Sequence, residues 1–172
     1  MFLDKIKDFF VKKIVKKSLS NVNHLASNDC IKTVGLLIDE TYFFNKQELI
    51  KGLIENGIKA ENIQILLFKD SIKKNEVFEY LMYSYKDVSW TGTITQTVVL
   101  QFIDTKFDLL LNYYDTDKAA LLLASNQSKA QFKVGFSTVD KRINHFMIDT
   151  NAENYSVFVE ELFKYLKILN KI

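Results

Sequence analysis

The sequence predicts an α/β fold, namely a single Rossmann-like domain with a mostly parallel sheet of about five strands, preceded by a basic amphipathic helix at the N-terminus. Three observations support this prediction. Short apolar runs alternate with segments of helical periodicity along the 172 residues, as expected for a parallel sheet covered by helices. The apolar fraction (48%) and the charged fraction (26%) are close to globular averages. Positive charge is concentrated at one end of the chain.

Residues 2–19 have the periodicity of an amphipathic helix. The apolar residues at helical spacing are Leu3, Ile6, Phe10 and Ile14, with Phe2, Phe9 and Val15 widening the stripe. Six lysines take the other face and outnumber two aspartates, so residues 1–17 carry a net charge of +4, whereas the whole chain carries +2. The polar residues 20–31 follow as a predicted linker, and the α/β domain is expected to span residues 32–172.

The first strand, helix and second strand form a predicted βαβ unit. Residues 33–39 (TVGLLID) are an apolar run typical of a strand buried on both faces. Asn45 is expected to cap the helix, with Glu48 three residues later in a variant of the capping box. Gly57 is expected to end the helix, and residues 62–68 (NIQILLF) form the second strand.

The middle of the chain has a weaker pattern. Residues 75–85 have apolar residues at helical spacing and predict a helix, and residues 87–92 predict a loop with a turn at Gly92. Residues 93–103 combine β-branched residues with helical spacing. We interpret them as a loop followed by a short helix.

The alternating pattern returns in the C-terminal half. Residues 107–114 (FDLLLNYY), 132–136 (FKVGF) and 145–150 (HFMIDT) predict three more strands. A short helix is expected at 118–125. The final predicted helix covers residues 154–170, with an apolar face formed by Val157, Phe158, Leu162, Tyr165, Leu166 and Leu169.

Two resemblances follow from these segments. The runs 107–114, 119–125 and 132–136, together with 87–90 and the ending 162–171, resemble an uncharacterised family of small Bacteroidota proteins. That resemblance implies no known activity. Residues 107–136 alone are similar to the N-terminal Rossmann-like half of heptosyltransferase-type glycosyltransferases. Because those enzymes need a second domain for the nucleotide-sugar, this likeness implies a fold rather than an activity.

Ligands of open α/β sheets bind outside the carboxyl ends of the strands. The residues that follow the predicted strands therefore form the candidate ligand site: Asp39, Glu40, Asn112, Tyr113, Asp115 and Ser137. Their side chains offer carboxylates, an amide, a hydroxyl and an aromatic face to a small polar ligand. The competing interpretation is that they cap helices and close loops.

Several chemistries lack their sequence motifs. No G-x-G-x-x-G or G-x-x-x-x-G-K-[ST] motif is present, and Gly35 lies inside a strand, where we expect it to permit close packing. The histidines, His24 and His145, and the single cysteine, Cys30, do not have the spacing of metal ligands. No metal, cofactor or catalytic residue is therefore assigned. A single cysteine excludes an intrachain disulfide and favours a cytoplasmic location.

The N-terminal helix has three possible roles: packing on the domain, lying on an anionic membrane surface, or docking on RNA or an acidic protein. Trp90, in a polar loop, is a further candidate anchor for a partner, or it pins the loop to the domain by one large side chain. The candidate partner-binding residues are Lys5, Lys12, Lys13, Lys16, Lys17 and Trp90.

We expect a non-catalytic cytoplasmic binding protein that docks on a ribosome, on RNA or on an acidic protein through this helix. No apolar run approaches the roughly 20 residues of a membrane span, although peripheral membrane contact and a homo-oligomer are both compatible with the sequence. The alternative is a small enzyme or ligand sensor that binds a sugar-like or nucleotide-like compound at the strand ends.

Overall fold

The computed structural model describes residues 2–20, 30–72 and 79–172. Within these ranges the chain forms six strands and five α-helices. The helices are α1 Phe2–Ser18, α2 Lys46–Glu55, α3 Thr97–Asp104, α4 Ala119–Gln127 and α5 Tyr155–Ile168. The strands are β1 Val34–Asp39, β2 Ile63–Phe68, β3 Leu81–Tyr83, β4 Leu109–Tyr113, β5 Phe132–Phe136 and β6 Phe146–Ile148.

The six strands form one sheet in the order β3-β2-β1-β4-β5-β6, and every neighbouring pair is parallel. The chain therefore builds outward from β1 to one edge, returns to the centre at β4, and builds to the other edge. This is the strand order of doubly wound Rossmann folds, in which the strand order reverses between the two central strands. The reversal here lies between β1 and β4.

Helices cover both faces of the sheet. One apolar core contains buried side chains of α1, α3 and α4, and the other contains those of α2 and α5. The central strands β1, β4 and β5 are buried along their whole length, which explains their continuous apolar runs. The predicted α/β Rossmann-like class is confirmed, with six strands rather than about five.

The additional strand, β3, corrects the helix predicted for residues 75–85. Residues 73–78 lie outside the described part of the chain, but Leu81–Tyr83 pair with Leu66–Phe68 as an edge strand. The buried ring of Tyr83 packs 5.2 Å from that of Phe68, and its hydroxyl donates to the Ala120 carbonyl at 3.2 Å. Tertiary packing outweighs the local helical spacing in this segment.

The ends of α2 confirm one prediction and contradict another. Asn45 occupies the N-cap position, but its side chain makes no capping hydrogen bond, so the predicted capping box with Glu48 is wrong. The Asn45 carbonyl accepts instead from Leu49 N–H at 3.2 Å. At the other end Gly57 follows the C-cap with φ +99°, as predicted for a glycine that ends a helix.

The loop-then-helix interpretation of residues 93–103 is also confirmed. The chain turns at Gly92, whose φ is +77° and whose N–H donates to the Ser89 carbonyl at 3.1 Å. An isolated antiparallel bridge joins Val88 to Ile94 across this turn. The helix α3 then begins at Thr97.

Candidate functional site

A small pocket lies where the strand order reverses, at the carboxyl ends of β1 and β4. It has a volume of about 90 Å³ and is lined by Asp39, Tyr42, Phe43, Tyr113, Tyr114, Asp115, Ala152 and Glu153. Three of these side chains carry carboxylates and four are aromatic. The position matches the expectation for an open α/β sheet, and the pocket brings together the predicted residues Asp39, Tyr113 and Asp115.

A buried lysine beside this pocket joins three loops of the sheet edge. Lys118 Nζ lies 2.7 Å from Asp39 Oδ2 and 2.8 Å from Asp70 Oδ1, and it donates to Thr41 Oγ1 at 3.1 Å. The side chains of Lys118 and Asp39 are each 8% exposed. Asp39 thus forms an ion pair with Lys118. Lys118 is not among the site residues that were predicted from the sequence.

The hydroxyl of Tyr113, which lines the pocket, is held in its neutral form. Tyr113 donates its hydroxyl to the Ala152 carbonyl at 2.7 Å, and its ring packs against Phe43 and Phe136. Burial, together with the nearby Asp115 carboxylate, raises the pKa of this hydroxyl well above its ordinary value. Tyr113 therefore offers the pocket a ring face and a neutral hydroxyl rather than a phenolate.

Asn112 does not line this pocket, which corrects its predicted position. The residue is fully buried inside β4, where its amide donates to Asn144 Oδ1 at 2.7 Å and accepts from Ser125 Oγ at 2.7 Å. Ser125 in turn lies 2.7 Å from the hydroxyl of Tyr114. Asn112 belongs to a buried polar network that links the sheet to α4.

The remaining predicted ligand residues make local contacts. Glu40 forms an ion pair with Lys46 at the start of α2. Ser137 donates to Asp149 Oδ1 at 2.8 Å. Asp115 accepts from Ala152 N–H at 3.1 Å, so it closes the loop before α5 while lining the pocket. Glu40 and Ser137 do not line the pocket.

The helix α1 packs on the domain, and an aspartate forms the centre of the contact. Asp8 Oδ1 accepts from Ala119 N–H at 2.7 Å and from the Tyr85 hydroxyl at 2.8 Å. Ala119 is the first residue of α4, so the carboxylate lies at the positive end of that helix. An anionic ligand would otherwise bind at such a position, and here α1 supplies the anion.

The inner face of α1 differs from the stripe predicted from the sequence. Val11, Val15 and Leu19 share one face at 3.6 residues per turn, and all three are buried in the core beneath α1. Leu3, Phe9, Phe10 and Ile14 were predicted to form the apolar stripe, but they are between 44% and 68% exposed. The helix therefore has apolar residues on two faces, and only the face of Val11, Val15 and Leu19 is buried in a core.

The C-terminal end of α1 is held by the single arginine of the chain. Arg142 donates to the Lys16 carbonyl at 3.0 Å and is itself fixed by two hydrogen bonds to the Asp140 carboxylate, at 2.9 and 2.7 Å. This hydrogen bonding lowers the pKa of Asp140. A cation at the C-terminus of a helix is favourable for the helix dipole, so Arg142 fixes α1 in place.

The predicted partner lysines divide into two groups. Lys12 pairs with Asp8 at 3.0 Å within α1, one helical turn away, whereas Lys16 pairs with Asp117 in the loop before α4 and so helps to attach α1. Lys5, Lys13 and Lys17 are exposed and form no ion pair among the described residues. Together with the exposed Leu3, Phe9, Phe10 and Ile14, these three lysines define what we call the outward face of α1.

Trp90 lies close to this face. It is 52% exposed and lies in the turn that ends at Gly92. A Cβ atom at Gly92 would lie 3.6 Å from Ile14 Cγ2 and 3.7 Å from Val11 Cγ1, so the turn packs against α1. The turn that contains this exposed tryptophan therefore adjoins Ile14 on one side of α1.

The described residues contain neither a grouped set of metal ligands nor a membrane-spanning helix. Among residues 2–20, 30–72 and 79–172, no three His, Cys, Asp or Glu side chains are grouped so that they could hold a metal ion. The helices in these same ranges include none that is long and apolar enough to cross a membrane. His145 accepts from Lys133 N–H at 2.9 Å, and Cys30 is an exposed free thiol.

The strand order and the helical layers define the class: a Rossmann-type α/β protein whose N-terminal helix completes one layer. The chain belongs to a family of unknown function, DUF6913, whose model matches residues 7–169. Membership of an uncharacterised family is thereby confirmed. No curated protein and no solved structure gave a match, so the likeness of residues 107–136 to heptosyltransferases stays a prediction.

Proposed function

We propose that this protein is a non-catalytic cytoplasmic binding protein that docks on a larger anionic partner through the outward face of α1. One observation carries the proposal. The inner face of α1 packs within the domain. Its outward face has three lysines that form no ion pair with any described residue, together with four exposed apolar side chains. Apolar side chains grouped with unpaired charge are typical of an interaction surface.

The strength of such docking can be estimated. A lysine next to an anionic surface contributes about 1 kcal/mol at physiological salt, so Lys5, Lys13 and Lys17 supply about 3 kcal/mol. Each exposed apolar side chain that the partner covers adds about 1 kcal/mol. The sum corresponds to weak and reversible binding that salt weakens.

The test is sedimentation of the tagged protein from a clarified lysate at low salt (about 0.05 M) and at high salt (about 0.5 M). We expect the protein to sediment with ribosomes, membranes or a large acidic protein at low salt and to be released at high salt. Migration as a monomer or small oligomer under both conditions would overturn the proposal. Deleting residues 1–19 is unsuitable as a test, because it would remove Val11, Val15 and Leu19 from the core.

A second candidate function rests on the pocket at the carboxyl ends of β1 and β4. Its aromatic walls and the carboxylates of Asp115 and Glu153 suit a small hydroxylated compound, and its volume of about 90 Å³ is below the roughly 300 Å³ at which drug-sized sites begin. A sugar-sized ligand fits this description better than a whole nucleotide.

Calorimetric titration with a panel of monosaccharides and nucleosides tests this second function. Binding of a monosaccharide that is lost in Asp115→Ala and retained in Asp149→Ala would support a ligand sensor. Asp149 is an exposed carboxylate that lies outside the pocket, so it serves as the matched control. If no compound of the panel binds, the second candidate is removed.

A further inference from the structure

The outward face of α1 has a composition that distinguishes among anionic partners. RNA offers phosphates to lysines and base faces to aromatic rings, but it has no complementary surface for the aliphatic side chains of Leu3 and Ile14. A lipid bilayer offers both an anionic headgroup layer and, directly beneath it, an apolar layer. Aliphatic, aromatic and cationic side chains together therefore match a bilayer surface better than they match RNA.

The arrangement of these side chains fits the same partner. A shallow groove along α1 is lined by Phe9 together with four lysines, namely Lys12, Lys13, Lys16 and Lys17. Aliphatic lysine stems can lie along an apolar surface while their ammonium groups remain at the level of phosphates. The groove thus presents an apolar ring surrounded by cations, which complements the boundary between headgroups and acyl chains.

The position of Trp90 adds an independent observation. Trp90 is exposed in a turn that packs against Ile14 and Val11, although it is separated from α1 by more than 70 residues of sequence. Tryptophan side chains are enriched at membrane–water interfaces, where the ring is apolar and its N–H can remain hydrated. Two distant segments of the chain thus contribute the residue types of an interfacial anchor to adjoining surfaces.

The helix itself has the dimensions of an element that lies on a surface. It has 17 residues, which corresponds to a length of about 25 Å. Its inner face packs on α4 and on the 3₁₀ turn Tyr85–Asp87, so it lies along the domain rather than projecting from it. The outward face is therefore a strip that runs along the length of the helix on the side away from α4.

We propose that the outward face of α1, together with Trp90, docks this protein on the surface of an anionic lipid bilayer. This inference rests on the proposed function and names the partner of the same surface. The lysines bind anionic headgroups, and the exposed apolar side chains enter the boundary with the acyl chains. The bilayer is contacted and not crossed.

The test uses Trp90, the single tryptophan of the chain, as an intrinsic probe. The full-length protein is titrated with vesicles of phosphatidylcholine containing roughly 30 mol% phosphatidylglycerol, a lipid mixture that carries the required negative charge. We expect the Trp90 emission to shift to shorter wavelength as the ring leaves water, and we expect the shift to saturate. Vesicles of phosphatidylcholine alone should cause no shift.

Matched variants separate the apolar contribution from the charge contribution. The double variant Phe9→Ser/Phe10→Ser should weaken vesicle binding on the order of tenfold or more, whereas Phe44→Ser should not change it. Phe44 is as exposed as Phe9 but lies in the loop between β1 and α2. Neutralising Lys5, Lys13 and Lys17 to Gln should weaken binding roughly 100-fold, at about 1 kcal/mol for each lysine.

The outcomes distinguish the two proposals. One outcome is that anionic vesicles cause no shift of the Trp90 emission, while the protein still sediments with ribosomes or with a large acidic protein in a salt-sensitive way. This outcome would overturn the bilayer proposal and leave the proposed function standing. Equal binding to neutral and anionic vesicles would also overturn the inference, because the lysines would then have no part in it. No vesicle binding and no salt-sensitive sedimentation would overturn both.

Discussion

Lys118 joins the loops that follow β1, β2 and β4, since its ammonium group contacts Asp39, Thr41 and Asp70. The ring of Tyr42 covers it at 4.7 Å from the ring centroid. A lysine that pairs with a buried carboxylate carries a large penalty when it is lost, because the partner charge then remains buried and unpaired.

We predict that Lys118→Met lowers the free energy of unfolding by about 3–5 kcal/mol, because Asp39 loses its counter-ion in a buried position. Urea denaturation at neutral pH measures the change. The double variant Asp39→Asn/Lys118→Met should recover part of the loss, since it buries no uncompensated charge. The matched control is Lys129→Met, which breaks an exposed ion pair with Asp104 and should change stability by less than about 1 kcal/mol. Equal effects at Lys118 and Lys129 would contradict this role.

Lys133 is a second buried lysine. Unlike Lys118, it lies beside a carbonyl oxygen and not beside a carboxylate of the described residues. Its Nζ donates to the Ser125 carbonyl at 2.6 Å, and no carboxylate of the described residues pairs with it. Burial lowers the pKa of Lys133 from 10.5 to about 8. Burial therefore makes the charged form less favourable in the folded protein than in the unfolded chain, although Lys133 is still charged at neutral pH because its pKa lies above 7.

This environment predicts a pH dependence of stability. Below pH 8 the folded protein holds a charged, buried Lys133, so Lys133→Met should be more stable than the wild type, by about 1–2 kcal/mol. Between pH 8 and 10.5 the folded state has released the proton and the unfolded state still binds it, so the stability of the wild type rises relative to the variant. Urea denaturation of both proteins at pH 7 and at pH 10 measures the difference. A constant difference across this range would contradict the lowered pKa.

For single residues, the sequence predicted where the candidate ligand residues lie better than it predicted what their side chains contact. The rule for strand ends brought Asp39, Tyr113 and Asp115 to one pocket, because the carboxyl ends of parallel strands share one edge, and their binding of a ligand stays a prediction. The rule misplaced Asn112, because the side chain of that residue is buried in a polar network with Asn144 and Ser125. It missed Lys118 because a lysine before a helix is ordinarily solvated, and only the fold brings Asp39 and Asp70 to it.

At the scale of elements, α1 depends on Asp8 for its attachment. The carboxylate accepts hydrogen bonds from the first N–H of α4 and from the Tyr85 hydroxyl, and it pairs with Lys12. Burial and the neighbouring Asp8 carboxylate raise the pKa of Tyr85, which keeps its hydroxyl available as a donor. One side chain thus couples α1, α4 and the 3₁₀ turn that contains Tyr85.

We predict that Asp8→Ala lowers the free energy of unfolding by about 2 kcal/mol, since it removes a capping carboxylate and leaves a buried hydroxyl without its acceptor. Hydrogen exchange should also quicken at the first amides of α4. Asp104→Ala is the control, because Asp104 is exposed and its ion-pair partner Lys129 is exposed as well. If Asp8→Ala and Asp104→Ala have the same effect on stability and exchange, Asp8 does not hold the helix.

The elements that the sequence predicted incorrectly share a physical cause. Residues 2–19 contain enough apolar side chains to form two faces, and periodicity does not indicate which face the domain will cover. In β3, three residues pair at the edge of the sheet, a length too short for an alternating pattern to appear. The long central strands were predictable because each buries a continuous apolar surface. The extent of α5 was predictable too, but Val157 and Leu169 of its predicted apolar face are 43% and 46% exposed, and Val159 and Phe163 are buried instead.

At the scale of the whole molecule, the single helix α1 has one face that packs in the fold and another that we propose binds a partner. The inner face of α1 completes the layer formed with α3 and α4, and the family model already matches from Lys7 onward. The division into a helix at 1–19, a linker at 20–31 and a domain at 32–172 stays a prediction, since residues 21–29 lie outside the described ranges. Because α1 packs on the sheet domain, its outward face has a fixed position relative to that domain.

The most direct test of the proposed function compares two triple variants that remove the same charge. Lys5→Gln/Lys13→Gln/Lys17→Gln neutralises the outward face, and Lys59→Gln/Lys106→Gln/Lys167→Gln neutralises three exposed lysines elsewhere. The fraction of protein that sediments with large particles from a low-salt lysate is measured for both variants and the wild type. We predict that the first variant stays in the supernatant while the second sediments like the wild type, with the stability of both unchanged. Equal sedimentation of the two variants would contradict docking through the outward face of α1.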